Sequence, residues 1–141
     1  MINRDYEIFL ASLCAYREAR SESEDGIRAV LHVMRNRANG WHKSWTEIIT
    51  SKNQLSSMSV PCDSQTVVWP IGTDPVFGKI QSIAAVIYNG GDNDDPTDGA
   101  LYYCNPKSST SPWFLEHIAK TKVMVATIGK HDFYSDMERV V

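Results

Sequence analysis

A chain of 141 residues that is 43% hydrophobic and 22% charged has the make-up of one ordinary globular domain, large enough to bury a core without metals or disulfides. Its 14 basic and 17 acidic side chains give a net charge of −3 with no long basic stripe, which excludes a protein that grips nucleic acid through its phosphates. No apolar stretch approaches a membrane span, and the opening Met1-Ile2-Asn3-Arg4 lacks the basic segment and apolar run of a secretory signal, so the expected compartment is the cytoplasm.

Apolar residues at Tyr6, Phe9, Leu10, Leu13 and Tyr16 follow the spacing of an amphipathic helix, predicted from Arg4 to Arg17. A second helix is predicted from Ser23, an N-cap, through Ile27, Val30, Leu31 and Met34 to Ala38, closed by Asn39-Gly40. Ser44 and Glu47 form a capping box ahead of a short helix. From Asn53 to Thr73 the helical period is lost and serine, proline and glycine accumulate, so this stretch reads as a long loop and a candidate groove wall.

Asp74-Pro75 then opens a helix carrying Val76, Ile80, Ile83, Ala84 and Ile87, which Gly90-Gly91 stops. The acidic run Asp92, Asp94, Asp95 and Asp98 departs from a calcium-binding loop, with Pro96 at a ligand position, and reads as a solvated turn. Leu101 to Cys104 is a predicted strand, and Ser111-Pro112 caps a short helix. Lys122 to Ile128 and His131 to Tyr134 form a hairpin about Gly129-Lys130. Without repeats or linkers, residues 1–141 read as a single domain of the α+β class, mainly helical, with a small antiparallel sheet late in the chain. Cys14, Cys62 and Cys104 form no C-x-x-C pair and read as small buried thiols.

Glu18 falls on the last turn of the first helix, where a half-buried carboxyl facing a cleft acquires the raised pKa of a general acid. The alternative is that Glu18, Glu22, Glu24 and Asp25 are a solvated, charged helix end.

Four blocks add to this. Glu18-Ala19-Arg20-Ser21-Glu22, with Gly26 and the helix ending Asn36-Arg37, resembles the opening motif of the spore-cortex-lytic cell wall hydrolase family. Gln54-Leu55-Ser56 resembles that family's Gln-Phe-Ser segment. The run from Asp95 to Pro106, through Tyr102-Tyr103-Cys104-Asn105, resembles its most recognisable block, and Ile128 to Tyr134 its closing hairpin. The blocks stand in the family's order and span nearly the whole chain. Ser21 replaces the motif's glycine and Leu55 an aromatic.

The resemblance implies a lysozyme-like catalytic domain that cuts the β-1,4 bond between N-acetylmuramic acid and N-acetylglucosamine in peptidoglycan, often as a lytic transglycosylase, with Glu18 as the catalytic acid. Gln54, Tyr102, Tyr103 and Asn105 are then the candidates for hydrogen bonds to sugar, and Trp113 or Trp69 for stacking on a sugar face; core packing is the alternative for each aromatic. Glu22 reads as support, pairing with Arg20 or Arg28, or as a secondary catalytic group; His131 either orients a carboxylate or caps the hairpin. His32 reads as a surface or boundary residue.

No cofactor and no metal are expected, since no histidine spacing resembles a zinc site. The expected partner is the bacterial glycan strand, with neither nucleic acid nor membrane, and the expected species is a monomer. The expected setting is a bacteriophage endolysin that waits in the host cytoplasm until it is released to the wall. Hydrolysis requires a second carboxylate, which only Asp95 or Asp98 offers by folding back; a transglycosylase does without one. The competing classes are a muramidase-type hydrolase, a catalytically silent wall-binding module, and a metal-dependent amidase.

Overall fold

The computed structural model describes residues 3–51, 58, 64–108 and 111–140. Helix α1 (Arg4–Ala19) starts at Asn3, whose side chain accepts from the Tyr6 N–H at 3.0 Å. From Leu10 to Ala19 it is buried at every position except Glu18, so it runs through the core and is not a surface helix. Tyr6 and Phe9, which begin the predicted apolar stripe, are exposed; Glu7 takes the inward place instead. Its buried carboxylate accepts from the Thr46 N–H at 2.6 Å, the Thr46 hydroxyl at 2.7 Å and the Tyr88 hydroxyl at 2.6 Å. Burial works to raise the Glu7 pKa, and the hydrogen bonds from Tyr88 and Thr46 outweigh it, leaving it below the ordinary value.

Helix α2 (Glu24–Trp41) is capped by Ser23, as predicted. It passes through Asn39-Gly40 and ends at His42 in the left-handed conformation, φ 54°. A mid-helix glycine costs about 1 kcal/mol, and packing of Trp41 against the core offsets it. Helix α3 (Trp45–Thr50) carries both halves of the Ser44–Glu47 capping box. A 3₁₀ turn follows at Ser64–Val67 within the predicted loop. Helix α4 (Pro75–Tyr88) begins at Asp74, which caps Val76 and also accepts from the Tyr16 hydroxyl at 2.7 Å, tying two helix ends together.

Strands β1 (Tyr102–Cys104), β2 (Lys122–Ile128) and β3 (His131–Glu138) form one antiparallel sheet in the order β1-β3-β2. Tyr103 pairs with Phe133, and two irregularities in the β2–β3 register twist the hairpin. A short turn α5 (Pro112–Phe114), capped by Ser111, continues as a π-helical turn (Leu115–Ala119). The predicted class is the one observed: mainly helical, with a small late sheet.

Two clusters make the core, and α2 belongs to both. Ile27, Val30, Leu31 and Met34 pack with α1, α3 and α4, while Ala29 and Val33 pack with Phe133 and Ala100 on the sheet side. Tyr103 touches both clusters. A third side of α2 holds the acidic stretch. Arg28 binds both carboxylate oxygens of Asp92 at 2.7 and 2.9 Å and also reaches Asp25, while Asn36 donates to Asp95 at 2.8 Å. The run is thus a strapped loop and not a solvated turn. His32, expected at the surface, is fully buried beneath it, 3.5 Å from Asp92.

Candidate active site

The last turn of α1 places three polar side chains side by side. Arg17 is buried; its Nε donates to the Val68 carbonyl at 2.9 Å, and its guanidinium lies 4.9 Å from the centre of the Trp69 ring. Arg20 donates to Gln65 Oε1 at 2.7 Å. These two anchors pin the segment 65–69 against α1. Trp69 is left 63% exposed, with the Arg17 guanidinium over its ring. Glu18, half-buried, stands between the two arginines in sequence and about 100° round the helix from each neighbour.

The face of α1 that carries Glu18 also carries Cys14, one turn back. Arg37 of α2 and Tyr103 of β1 both feel the charges of Cys14 and Glu18. Arg37 is 3% exposed; its Nε donates to the Leu101 carbonyl at 2.6 Å, and it sits 5.4 Å from the Trp41 ring and 5.7 Å from Tyr102. Burial pushes its pKa down, and the neighbouring tyrosines, Cys14 and Glu18 act the other way. Burial, followed by the nearby Glu18 and Cys14, pushes the Tyr103 phenol well above its usual value.

Glu22 lies beyond the helix end and turns toward the sheet. Its Oε1 accepts from the Lys130 N–H at 2.8 Å and sits 3.1 Å from His131 Nδ1, with the side chains 8% and 5% exposed. Neither Arg20 nor Arg28 is its partner: they go to Gln65 and to Asp92 with Asp25. The His131 ring in turn meets Tyr103 edge-on at 5.4 Å. Burial holds His131 below its usual pKa, against the pull of Glu22.

Of the residues proposed from sequence, Glu18, Glu22, Tyr103 and His131 thus form one connected group. Tyr102 stands beside it, against Arg37 and Trp41, with its hydroxyl 3.4 Å from Asp136. Asn105 Oδ1 accepts from the Lys107 N–H at 3.1 Å, closing the turn after β1. Trp113 is 54% exposed and stacks on His117 at 5.0 Å. Gln54 lies outside the described residues, as do Leu55 and Cys62.

Of the two carboxylates expected to fold back, Asp98 is exposed, with φ 54°, and Asp95 is fully occupied. Oδ1 accepts from the Thr97 N–H and hydroxyl at 2.8 and 2.7 Å, and Oδ2 from Asn36 and the Gly99 N–H at 2.8 and 2.9 Å. An open concavity of about 760 Å³ lies elsewhere, between the start of α2, α4 and the strapped loop, lined by Glu24, Asp25, Arg28, Val86, Asp92 and Asp94. Its carboxylates Asp25 and Asp92 share the one guanidinium of Arg28, so with Glu24 and Asp94 the wall carries net negative charge.

Sequence reasoning passed over Arg37. The signal was present: Ile27, Val30, Leu31 and Met34 continue at helical period to 37, 38 and 41, so a cation stood on an apolar stripe.

Comparison with known proteins identifies the family. Residues 21–134 match the family model described as Cell Wall Hydrolase, a stretch that holds Glu22, Tyr102, Tyr103, Asn105, Trp113 and His131 and begins three residues after Glu18. The chain is 30% identical over 131 residues to the spore cortex-lytic enzyme of Bacillus subtilis, covering 90% of this chain and 37% of that protein, so it spans well under half the relative's length. The catalytic domain of the Bacillus cereus SleB protein superposes with a TM-score of 0.64 at 28% identity, covering 93% of this chain and 91% of that one. The catalytic domain of the germination-specific lytic transglycosylase SleB from Bacillus anthracis does so with a TM-score of 0.65 at 27% identity, covering 92% and 93%. With a family match over most of its length and the lysozyme-like architecture of these catalytic domains, the chain belongs to the cell wall hydrolase family.

Proposed function

We propose that the protein is a peptidoglycan lytic transglycosylase that cuts the β-1,4 bond between N-acetylmuramic acid and N-acetylglucosamine, with Glu18 as its acid and base. The observation that carries this reading is the placement of Glu18: the one half-exposed position in the buried run from Leu10 to Ala19 is a carboxylate. The family and the two catalytic-domain neighbours support it.

In this mechanism the protonated Glu18 gives its proton to the glycosidic oxygen as the bond from the anomeric carbon breaks. The resulting carboxylate takes the proton of the sugar's own 6-hydroxyl while that oxygen attacks the anomeric carbon. One bond to carbon is lost and one gained, the acid is regenerated, and no water enters. The transglycosylase is favoured over the hydrolase because two of the candidate second carboxylates are committed: Glu22 to the hairpin and Asp95 to its own loop. Digestion of purified sacculi followed by mass spectrometry tests this. Products ending in 1,6-anhydro sugars, lighter by one water than reducing ends, are expected; reducing ends alone contradict it.

The setting we propose, a bacteriophage lysis enzyme held in the host cytoplasm until a permeabilising partner admits it to the wall, is a separate claim with its own test. Cells producing the protein should stay intact until the membrane is permeabilised and then lyse. Lysis without permeabilisation overturns the setting and leaves the chemistry untouched.

A further inference from the structure

Four buried polar atoms have no hydrogen-bond partner among the described residues: both ring nitrogens of His32, which lies beneath the strapped loop, and, on the sheet side of α2, Nη1 of Arg37 and the hydroxyl of Tyr103. A buried donor left unpaired costs about 1–3 kcal/mol, and native proteins retain few of them. The Arg37 and Tyr103 side chains lie close enough to feel each other's charge. Arg37 is fixed from behind by the Leu101 carbonyl, the residue two before Tyr103 in the chain, and by the Trp41 and Tyr102 rings. Tyr103 is fixed by its strand pairing to Phe133, by the Phe133 ring at 5.8 Å and by the His131 ring at 5.4 Å. Glu22 in turn holds His131. Both Arg37 and Tyr103 feel the charges of Cys14 and, one turn on along the same face of α1, Glu18.

We propose that Arg37 and Tyr103 are positioning residues for Glu18, the guanidinium standing as a fixed positive charge behind the carboxyl and the phenol donating to the carboxylate left when the proton has gone to the leaving oxygen. The inference rests on the reading of Glu18 as the acid. Its physical content is a division of labour. Glu18 must be protonated to begin and charged midway, so its surroundings must stabilise the second state without forcing it beforehand. A buried cation that is permanently charged lowers the energy of the carboxylate at all times. A neutral hydroxyl without a ground-state partner adds its hydrogen bond only when the charge develops, and such bonds often close only in the working complex. Titratable and charged groups electrostatically linked to Glu18 include Arg37 on α2 and Tyr103 on β1, with Cys14 one turn back on its own helix and His131 and Glu22 behind Tyr103.

Tyr103→Phe is the decisive variant, because it removes one oxygen that has no partner. If that oxygen merely sits in the core, its loss leaves the melting temperature equal or higher and the activity unchanged. If it serves Glu18, the melting temperature is again equal or higher, while kcat on sacculi falls by about tenfold or more. The Glu18 carboxyl is then followed directly by ¹³C NMR in protein with labelled glutamate, its signal assigned by Glu18→Gln. Its titration midpoint should rise by about one pH unit in Tyr103→Phe and in Arg37→Met, and stay at the wild-type value in Arg37→Lys, which keeps the charge. An unchanged midpoint and unchanged kcat in Tyr103→Phe overturn the inference, whether or not Arg37→Met folds. Glu18→Gln separates the two levels: if it remains active, the acid assignment falls and this inference with it; if it is inactive while the midpoints stay put, only this inference falls.

Discussion

The carboxylate of Glu22 accepts a hydrogen bond from the backbone N–H of Lys130 at 2.8 Å, joining the turn after α1 to the tip of the β2–β3 hairpin, 108 residues away. Gly129 makes the contact possible. It has φ +58°, and a Cβ there would stand 2.6 Å from Glu22 Oε2. Because a carboxylate only accepts, His131 Nδ1 carries the proton that faces it.

Replacing Glu22 by Ala leaves both the Lys130 N–H and His131 Nδ1 without this acceptor. The expected loss is about 2–3 kcal/mol of stability in urea denaturation, and Glu22→Gln, which keeps one accepting oxygen, should lose less than half of it. Equal stability of Glu22→Ala and wild type would show that the link contributes nothing.

Stability should also depend on pH through two histidines. Burial holds both His32 and His131 below their usual value of 6.5, against Asp92 and Asp95 in the first case and Glu22 and Asp132 in the second. The unfolded chain then binds more protons than the folded one, so stability is fully present above about pH 6.5 and is lost as the pH falls toward the folded values. Asp92, lowered to about 2 by Arg28, keeps its full contribution down to about pH 5 and loses it as the pH falls through 4 toward 2. Urea midpoints should therefore decline between pH 7.5 and 5, before the carboxylates titrate. His131→Gln should flatten part of that slope; a midpoint constant over this range contradicts the assignment.

Most of the fold was legible because local signals and burial agreed. Ser23, Ser44, Asp74 and Ser111 all cap as their sequence positions predict, since a short oxygen-bearing side chain ahead of a helix satisfies an otherwise unpaired N–H. Gly129 marked the hairpin for a like reason. What escaped were polar residues whose partners lie far along the chain. Glu7 finds Thr46 and Tyr88, Arg28 finds Asp92, and Glu22 finds Lys130 rather than a nearby arginine. Helical period indicates that a face is buried but not which distant group meets it. The end of α2 was missed because Asn39-Gly40 is a stop signal that the packing of Trp41 overrides.

Glu7 allows a direct test of that blind spot. Glu7→Ala strips three donors of their acceptor in a buried site, and a loss of about 3 kcal/mol is expected. Thermal melts of Glu7→Ala and Glu7→Gln, the latter the milder, check it. A melting temperature within a degree of wild type for Glu7→Ala would mean that the cluster relaxes without cost.

Trp69 is largely exposed and its ring lies against Arg17, the residue before Glu18. If its exposed surface carries a sugar ring, Trp69→Ala raises KM on soluble glycan strands by about tenfold, with kcat nearly kept, and Trp69→Phe recovers most of the loss. A fall in kcat with KM unchanged would instead assign the ring to fixing the loop.

Everything turns on whether Glu18 performs the cleavage, and Glu18→Gln reads it most directly. This change keeps the size and hydrogen-bonding capacity of the side chain but removes its ability to exchange a proton. Incubated with purified sacculi, the variant should release no soluble muropeptides while its circular dichroism and melting curve match those of the wild-type protein. Release of anhydro-ended muropeptides at a near-normal rate by the folded variant would contradict the account.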